Sequence, residues 1–253
     1  MMRWLRFLEG ERVKYGLESD GVVTPVKGSP FNSYQRETKS YALEDLMLLS
    51  PCEPSKVLCV GLNYRDHAQE VKIELPDKPV IFMKPSTSVV GSCQDIVCPP
   101  ISRRVDYEAE LAVVIRKTAK NIARQDAHQF VLGYTCGNDV TARDLQPKDG
   151  QWTISKSFDT FCPLGPVIDT DANPDNLMVR LLLNGEVKQQ ANTNQMIFSP
   201  LDLVSYLSAV MTLHPGDVIL TGTPSGIGPI RPGDQVTVEI DGIGSLVNPV
   251  VEG

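Results

Sequence analysis

Histidine is scarce in this chain of 253 residues: His67, His128 and His214 are all it has. A zinc site built mainly on imidazole is therefore not expected, and any metal should be held by oxygen. The six cysteines, Cys52, Cys59, Cys93, Cys98, Cys136 and Cys162, form no C-x-x-C pair and match no zinc spacing. They are expected to be small buried hydrophobes in a reducing compartment, as Cys59 within KVLCV suggests. No apolar run approaches the roughly 18 residues that span a bilayer. The apolar part of MMRWLRFLEGER is too short for a signal peptide before Glu9, Gly10 and Glu11 interrupt it. No membrane partner is expected, and the cytoplasm is the default compartment. Positive charge is not in excess either. Lys plus Arg is 24 against 31 Asp plus Glu, a net charge of −7, which argues against a nucleic-acid surface. Two motifs are missing as well. GTPSGIG lacks the Gly-Lys-Ser/Thr ending of a P-loop, and no G-x-S-x-G elbow is present, which counts against a serine hydrolase.

What is present is a core. Hydrophobic residues make up 42%, too many for a disordered chain, and the length suffices for one large domain or a large and a small one. Residues 1–52 read as a small β-rich domain. Turns at Gly10 and Asp20-Gly21 separate short strands, and a short helix, ALEDLMLL, leads to a boundary at Ser50-Pro51. Residues 53–253 form the larger domain. KVLCV is a buried strand, RDHAQEV begins a helix, and PVIFMKPSTSVV is a strand interrupted by Pro85. VDYEAELAVVI is one long strand, ARQDAHQFV is helical, and LGYTCGNDV is a strand followed by a loop. Asn184-Gly185 marks a hairpin. Ser199-Pro200 opens a helix with Leu201, Val204, Leu207 and Met211 along it. His214-Pro-Gly-Asp and Arg231-Pro-Gly-Asp are turns before the strands VILTG and QVTVEI. The fold class is a β-dominated α+β.

The long strand carries the chemistry. Alternation places Asp106, Glu108 and Glu110 on one face. Three carboxylates in a row repel unless solvated or neutralised. A solvated outer face is the simplest account of them, but LAVVI is apolar on both faces, and a further acid, Asp139, ends another apolar run. Carboxylates on buried strands are costly unless paired or bound to metal, and hard oxygen donors suit Mg²⁺, Mn²⁺ or Ca²⁺.

Six segments taken in order, GLNYRDHAQE, FMKPSTSVVG, DYEAELAVVI, GNDVTARDLQ, SKSFDTFCPLGP and ILTGTPSGIGP, closely resemble the fumarylacetoacetate hydrolase family, over roughly 200 residues from Lys56 onward. The resemblance implies a mixed β-sheet roll or sandwich with peripheral helices, usually a homodimer. It implies Mg²⁺- or Mn²⁺-dependent chemistry on a small-molecule 2-oxo acid substrate, a 2-oxo or 2,4-dioxo carboxylate. By motif position, Glu108, Glu110 and Asp139 correspond to the metal ligands, while Asp106 is expected to be salt-bridged behind them. His67 and Glu70 match a dyad that activates water, with residues 71–77 (VKIELPD) as a lid. Lys156 matches an active-site lysine that would hold the 2-oxo or enolate oxygen. Arg143, Gln146, Lys84 and Thr223 match substrate contacts.

The reaction first expected from these parts is hydrolysis of a C–C bond in an acylpyruvate, as in aromatic catabolism. The alternatives are isomerisation or tautomerisation of a 2-hydroxy-diene-dioate or of oxaloacetate, and decarboxylation of oxaloacetate. A non-catalytic, metal-stabilised binding protein is the remote one.

Overall fold

A computed structural model describes residues 2–70, 77–148 and 150–253. Residues 71–76 of the expected lid lie outside the described residues. Among those described, a 13-stranded sheet, a 5-stranded sheet and a 3-stranded sheet make a mostly β molecule, with 11 residues in the longest α-helix, Pro200–Val210.

The large sheet is mixed. Its order runs Tyr34–Arg36, Val22–Gly28, Arg12–Ser19, Arg3–Glu9, Cys162–Asp169, Val131–Asn138, Ala109–Ile115, Val218–Leu220, Val57–Gly61 and Val80–Lys84. The first four strands come from the leading segment. They join the rest through Arg3↔Asp169 and Trp4↔Ile168, so the leader extends this sheet. The turns at Gly10 and at Asp20-Gly21 adopt the positive φ that tight hairpins need. Asn184-Gly185 does the same between Met178–Leu183 and Glu186–Asn192.

Ala109–Ile115 is central and wholly buried. Leu111, Val113 and Ile115 face one apolar cluster, which includes Val179, Leu181, Val236 and Val238 of the 5-stranded sheet. Ala112 and Val114 face the other, with Val57, Cys59, Leu164 and Trp4. Each large side chain buried here contributes roughly 1.5–3 kcal/mol. Glu110 therefore sits on a strand that apolar packing holds rigidly on both sides.

The two Pro-Gly-Asp turns form as expected, and each aspartate accepts from the backbone N–H three residues earlier: His214 to Asp217 at 2.7 Å and Arg231 to Asp234 at 2.8 Å. Ser199 caps Pro200–Val210 in a capping box with Asp202. ARQDAHQFV is helical, but as a 3-10 helix over Arg124–Phe130.

Three expectations need correction. ALEDLMLL is not a helix: only Leu43–Asp45 form a 3-10 turn, and Leu48–Leu49 pair with Arg6 and Phe7 of the first strand. Backbone pairing to a preformed edge outweighs helix propensity here. VDYEAELAVVI is not one strand. Val105–Tyr107 belongs to the 3-stranded sheet and Ala109–Ile115 to the large one, with the change at Glu108. Four cysteines are buried, but Cys93 is exposed and Cys98 half-buried.

Candidate active site

The break at Glu108 frees its N–H from either ladder, and Asn138 Oδ1 accepts it at 2.9 Å. In return Asp139 N–H donates to the Glu108 carbonyl at 2.9 Å. These bonds set Glu108 beside Asp139 at the joint between two sheets, with Glu110 two residues further along. All three carboxylates are buried, and one oxygen from each lies within 4.8 Å of the others. A solvated outer face is thus excluded.

Cations compensate the three acids unequally. Lys156 Nζ donates to Glu108 Oε2 at 2.9 Å and to Asp139 Oδ2 at 2.6 Å. Burial works against its charge, but Asp139 and Glu108 outweigh burial and hold the ammonium above its ordinary value. Glu108 likewise resists its own burial: Lys156 and Arg143 hold its carboxyl well below the usual range. Glu110 touches no cation among the described residues. Among the described residues its hydrogen-bond donor is the Gly222 N–H, 2.6 Å from Oε2. Burial, then Asp139 and Glu108, push its carboxyl well above the usual range.

Asp106 is fully buried and paired with Arg104 and Arg143, the salt-bridged state expected of it. Arg143 lines the pocket, but its guanidinium is held by protein groups. Nε donates to Asp106 at 2.9 Å, Nη1 to Gln146 Oε1 at 2.5 Å, and Nη2 to Glu108 Oε1.

Lys84 does not lie on the pocket wall. It is 1% exposed, beneath the cluster, where Nζ donates to the carbonyls of Val140 (2.9 Å), Lys156 (2.7 Å) and Phe161 (2.8 Å). The same nitrogen is 2.7 Å from Asp139 Oδ1. An ammonium has three hydrogens, and three carbonyls take them, so Asp139 Oδ1 gains charge neutralisation without a hydrogen bond. The family resemblance implied a substrate contact for Lys84; the structure holds its ammonium on three backbone carbonyls beneath the cluster, outside the pocket lining.

The donor set suits a hard divalent cation. It offers three carboxylates, one buried oxygen without a hydrogen bond, and one carboxylate without a cation.

His67 is 7% exposed and lines the same pocket, at the end of the strand-loop-helix that leads from Val57–Gly61 into Arg65–Glu70. Asn63 anchors this loop through Thr221 (2.7 Å) and Phe198 (2.9 Å). The His67 Nδ1–H donates to Glu70 Oε2 at 3.0 Å. A carboxylate only accepts, so Nδ1 carries the hydrogen, and in the neutral ring Nε2 is the nitrogen with the lone pair. Gly226 N–H donates to Glu70 Oε1 at 3.0 Å, and the Ser225 hydroxyl to Asp66 at 2.7 Å, so the glycine-rich loop docks the helix. Thr223, also on that loop, lines the pocket while its Oγ1 accepts from Gln189 at 2.9 Å.

The pocket is a cavity of about 400 Å³. Its remaining wall includes Phe82, Trp152 and Lys148, which the sequence pattern did not single out. Phe82 and Trp152 meet edge-on at 5.3 Å, and Lys156 Nζ lies 4.9 Å from the Phe82 ring centre. Trp152 is one of only two tryptophans and lies three residues before the start of the SKSF motif, which was a usable signal. Lys148 offered none.

Gly222 has φ +98°, and a Cβ there would lie 2.7 Å from the Asn63 Cβ and 3.1 Å from the Val60 carbonyl. We expect Gly222→Ala to displace the N–H that orients Glu110, weakening divalent-cation affinity about 10- to 100-fold. Calorimetric titration with Mn²⁺ checks this; unchanged affinity would show that the bond does not matter.

Comparison with known proteins agrees with this architecture. The family model described as fumarylacetoacetate (FAA) hydrolase C-terminal matches residues 56–251, and one described as Rv2993c-like, N-terminal matches residues 2–51. The chain is 48% identical over 209 residues to the mitochondrial oxaloacetate tautomerase Fahd2a of Rattus norvegicus, covering 78% of this chain and 67% of that one. The crystal structure of 2-hydroxyhepta-2,4-diene-1,7-dioate isomerase from Mycobacterium marinum is 44% identical, with a TM-score of 0.92 over 100% of this chain and 99% of that one. Maleylpyruvate hydrolase from Sphingobium sp. SYK-6, solved with manganese(II) and pyruvate, is 29% identical, with a TM-score of 0.84 over all of both chains. With the family model matched along most of its length and these relatives beside it, the chain belongs to the fumarylacetoacetate hydrolase family.

Proposed function

We propose that this protein is an Mg²⁺- or Mn²⁺-dependent tautomerase or isomerase that moves a proton within a small 2-oxo or 2-hydroxy-enoic acid. The observation that carries this reading is the His67–Glu70 pair on the wall of the pocket that also holds Glu108, Glu110 and Asp139. On this reading His67 is the oriented base and the three carboxylates beside it are the cation site. The relatives at 44–48% identity, an isomerase and an oxaloacetate tautomerase, support it.

A divalent cation on the three carboxylates would supply Lewis-acid stabilisation of an enolate oxygen. The protein's own groups do the rest. His67 Nε2 takes the proton from the carbon or the enol oxygen and returns it at the other position. The Glu70 carboxylate stabilises the imidazolium that forms between the two transfers. Lys156 adds positive potential where the oxyanion develops. Phe82 and Trp152 limit water, so the proton stays with the substrate. No bond between heavy atoms breaks.

Hydrolysis of an acylpyruvate is the second reading, because the same His67 Nε2 is placed to deprotonate a water and a manganese-binding hydrolase shares the fold. Decarboxylation of oxaloacetate would use the same electron sink. We propose that the protein is a homodimer, as the family resemblance implies; the particle mass in solution checks it. No helix of the described residues is long and apolar enough to cross a membrane.

A proton NMR time course with Mg²⁺ tests the reaction on enol-oxaloacetate, a 2-hydroxy-diene-dioate, acetylpyruvate and fumarylpyruvate. Proton migration without release of pyruvate or CO₂ is expected; faster pyruvate release from the acylpyruvates would put hydrolysis first. In the same assay His67→Ala should lower kcat by roughly 10²- to 10⁴-fold with Mn²⁺ affinity unchanged. Full activity in that variant would remove the dyad from the mechanism.

A further inference from the structure

We propose that Lys148 is the subsite for a second, distal carboxylate, so that the enzyme selects 2-oxo dicarboxylates over 2-oxo monocarboxylates. The inference rests on the reading of the pocket as a 2-oxo acid site and adds the substrate class to it.

Four side chains on the pocket wall carry, or can carry, positive charge: His67, Arg143, Lys148 and Lys156. Three are engaged. His67 is held by Glu70, and Lys156 bridges Glu108 and Asp139. Arg143 has its Nε, Nη1 and Nη2 on Asp106, Gln146 and Glu108. Redirecting Arg143 to a ligand would strip a partner from buried Asp106 or Glu108. Lys148 is the exception: it is exposed and has no hydrogen-bond or ion-pair partner among the described residues.

Lys148 is exposed whereas the carboxylate cluster is buried, so it stands toward the mouth of the pocket. It lies two residues beyond Gln146, on the loop between the Arg143–Leu145 turn and the Thr153–Lys156 helix, whose Arg143 and Lys156 both bond to Glu108. The same loop brings Pro147 and Trp152 to the wall. Trp152 packs against Gly61, where a Cβ would come within 2.8 Å of the ring, so the indole fixes that end of the loop. The wall thus offers Phe82, Pro147 and Trp152 to a carbon chain and the Lys148 ammonium to an anion. A 2-oxo acid bound by its carboxylate and 2-oxo group at the carboxylate cluster projects its tail along this plate. A tail ending in a carboxylate meets Lys148, and a tail ending in methyl leaves the ammonium to water.

Lys148→Met removes the charge and keeps most of the length, and Lys148→Arg keeps the charge. Because the residue is exposed, neither should alter folding. With Mg²⁺ present, Lys148→Met should lose about 10- to 100-fold in kcat/KM on enol-oxaloacetate, mainly through KM, and less than about 2-fold on the enol of acetylpyruvate. Lys148→Arg should restore most of the loss. Calorimetric binding of 2-oxoglutarate should weaken by the same factor while pyruvate binding stays constant. Equal losses on both classes, or none on the dicarboxylate, would overturn the subsite. If the wild type bound both acids and turned over neither, the tautomerase reading would fall and the calorimetric comparison alone would decide the subsite.

Discussion

Glu110→Gln should abolish the enzyme while leaving the protein without metal at least as stable as the wild type. The amide fills the same volume and its oxygen can still accept the Gly222 N–H. What disappears is a carboxyl whose ionisation burial, Asp139 and Glu108 all oppose, and with it the capacity to give a cation a third negative ligand. Removing like-charge repulsion inside the protein does not destabilise it. The loss falls on ion binding. Lewis-acid stabilisation of an enolate is worth several kcal/mol, so turnover should drop by at least about 10³-fold. Thermal melts show both signs at once. Mn²⁺ should raise the midpoint of the wild type by mass action and should leave that of Glu110→Gln unmoved. A variant that still gained stability from Mn²⁺ would show that the ion binds elsewhere.

Lys84→Met should be the most destabilising single change among the residues discussed. The ammonium ties Val140, Lys156 and Phe161 together through their carbonyls and neutralises buried Asp139. Methionine matches its length and supplies neither. Each buried carbonyl left without its donor costs about 1–3 kcal/mol, and Asp139 keeps only Lys156 of its two cations, together a large share of the roughly 5–15 kcal/mol that holds a domain folded. Urea unfolding measures this directly. The cause is separable: Lys84→Met combined with Asp139→Asn should recover part of the loss, because the carboxylate that lost one of its two cations is then gone. If the double variant were less stable by the full sum of the two single changes, Asp139 would not be what Lys84 neutralises.

The parts of the molecule that were legible in the sequence share a physical basis. Apolar runs such as KVLCV became buried strands, and Asn184-Gly185 and Ser199-Pro200 became a hairpin turn and a helix start, because these signals are local. Glu108 and Glu110 were suspicious as acids on an apolar strand, and the two do lie together with Asp139. Asp139 stood out in the same way, as an acid at the end of an apolar run, whereas the family motifs, not spacing, supplied His67, Glu70 and Lys156. What stayed hidden depends on distant chain. The change of sheet at Glu108 follows from Val105–Tyr107 pairing with Gly228–Ile230, more than a hundred residues later. Leu48–Leu49 form a strand because Arg6 and Phe7 offer an edge. Lysine is normally exposed, so three inward-facing carbonyls converging on Lys84 could not be foreseen. Lys148 stands on a loop with no periodicity to read.

The parallel pairing of Val57–Gly61 with Val218–Leu220 joins the two halves of this site across a long stretch of chain. Lys56 and Asp217, at the start of that pairing, are 161 residues apart in the chain. Closing so long a loop costs chain entropy before any contact repays it, and folds dominated by such pairings form in about milliseconds to seconds rather than microseconds. The loop that carries Gly222, Thr223 and Gly226 follows directly on Val218–Leu220, which lies between Ala109–Ile115 and Val57–Gly61, so a single loop reaches both Glu110 and Glu70. The three carboxylates need no such closure, because Glu108, Glu110 and Asp139 meet through the neighbouring strands Ala109–Ile115 and Val131–Asn138. The charge cluster is thus built from chain segments close in sequence, and the oriented base from segments far apart.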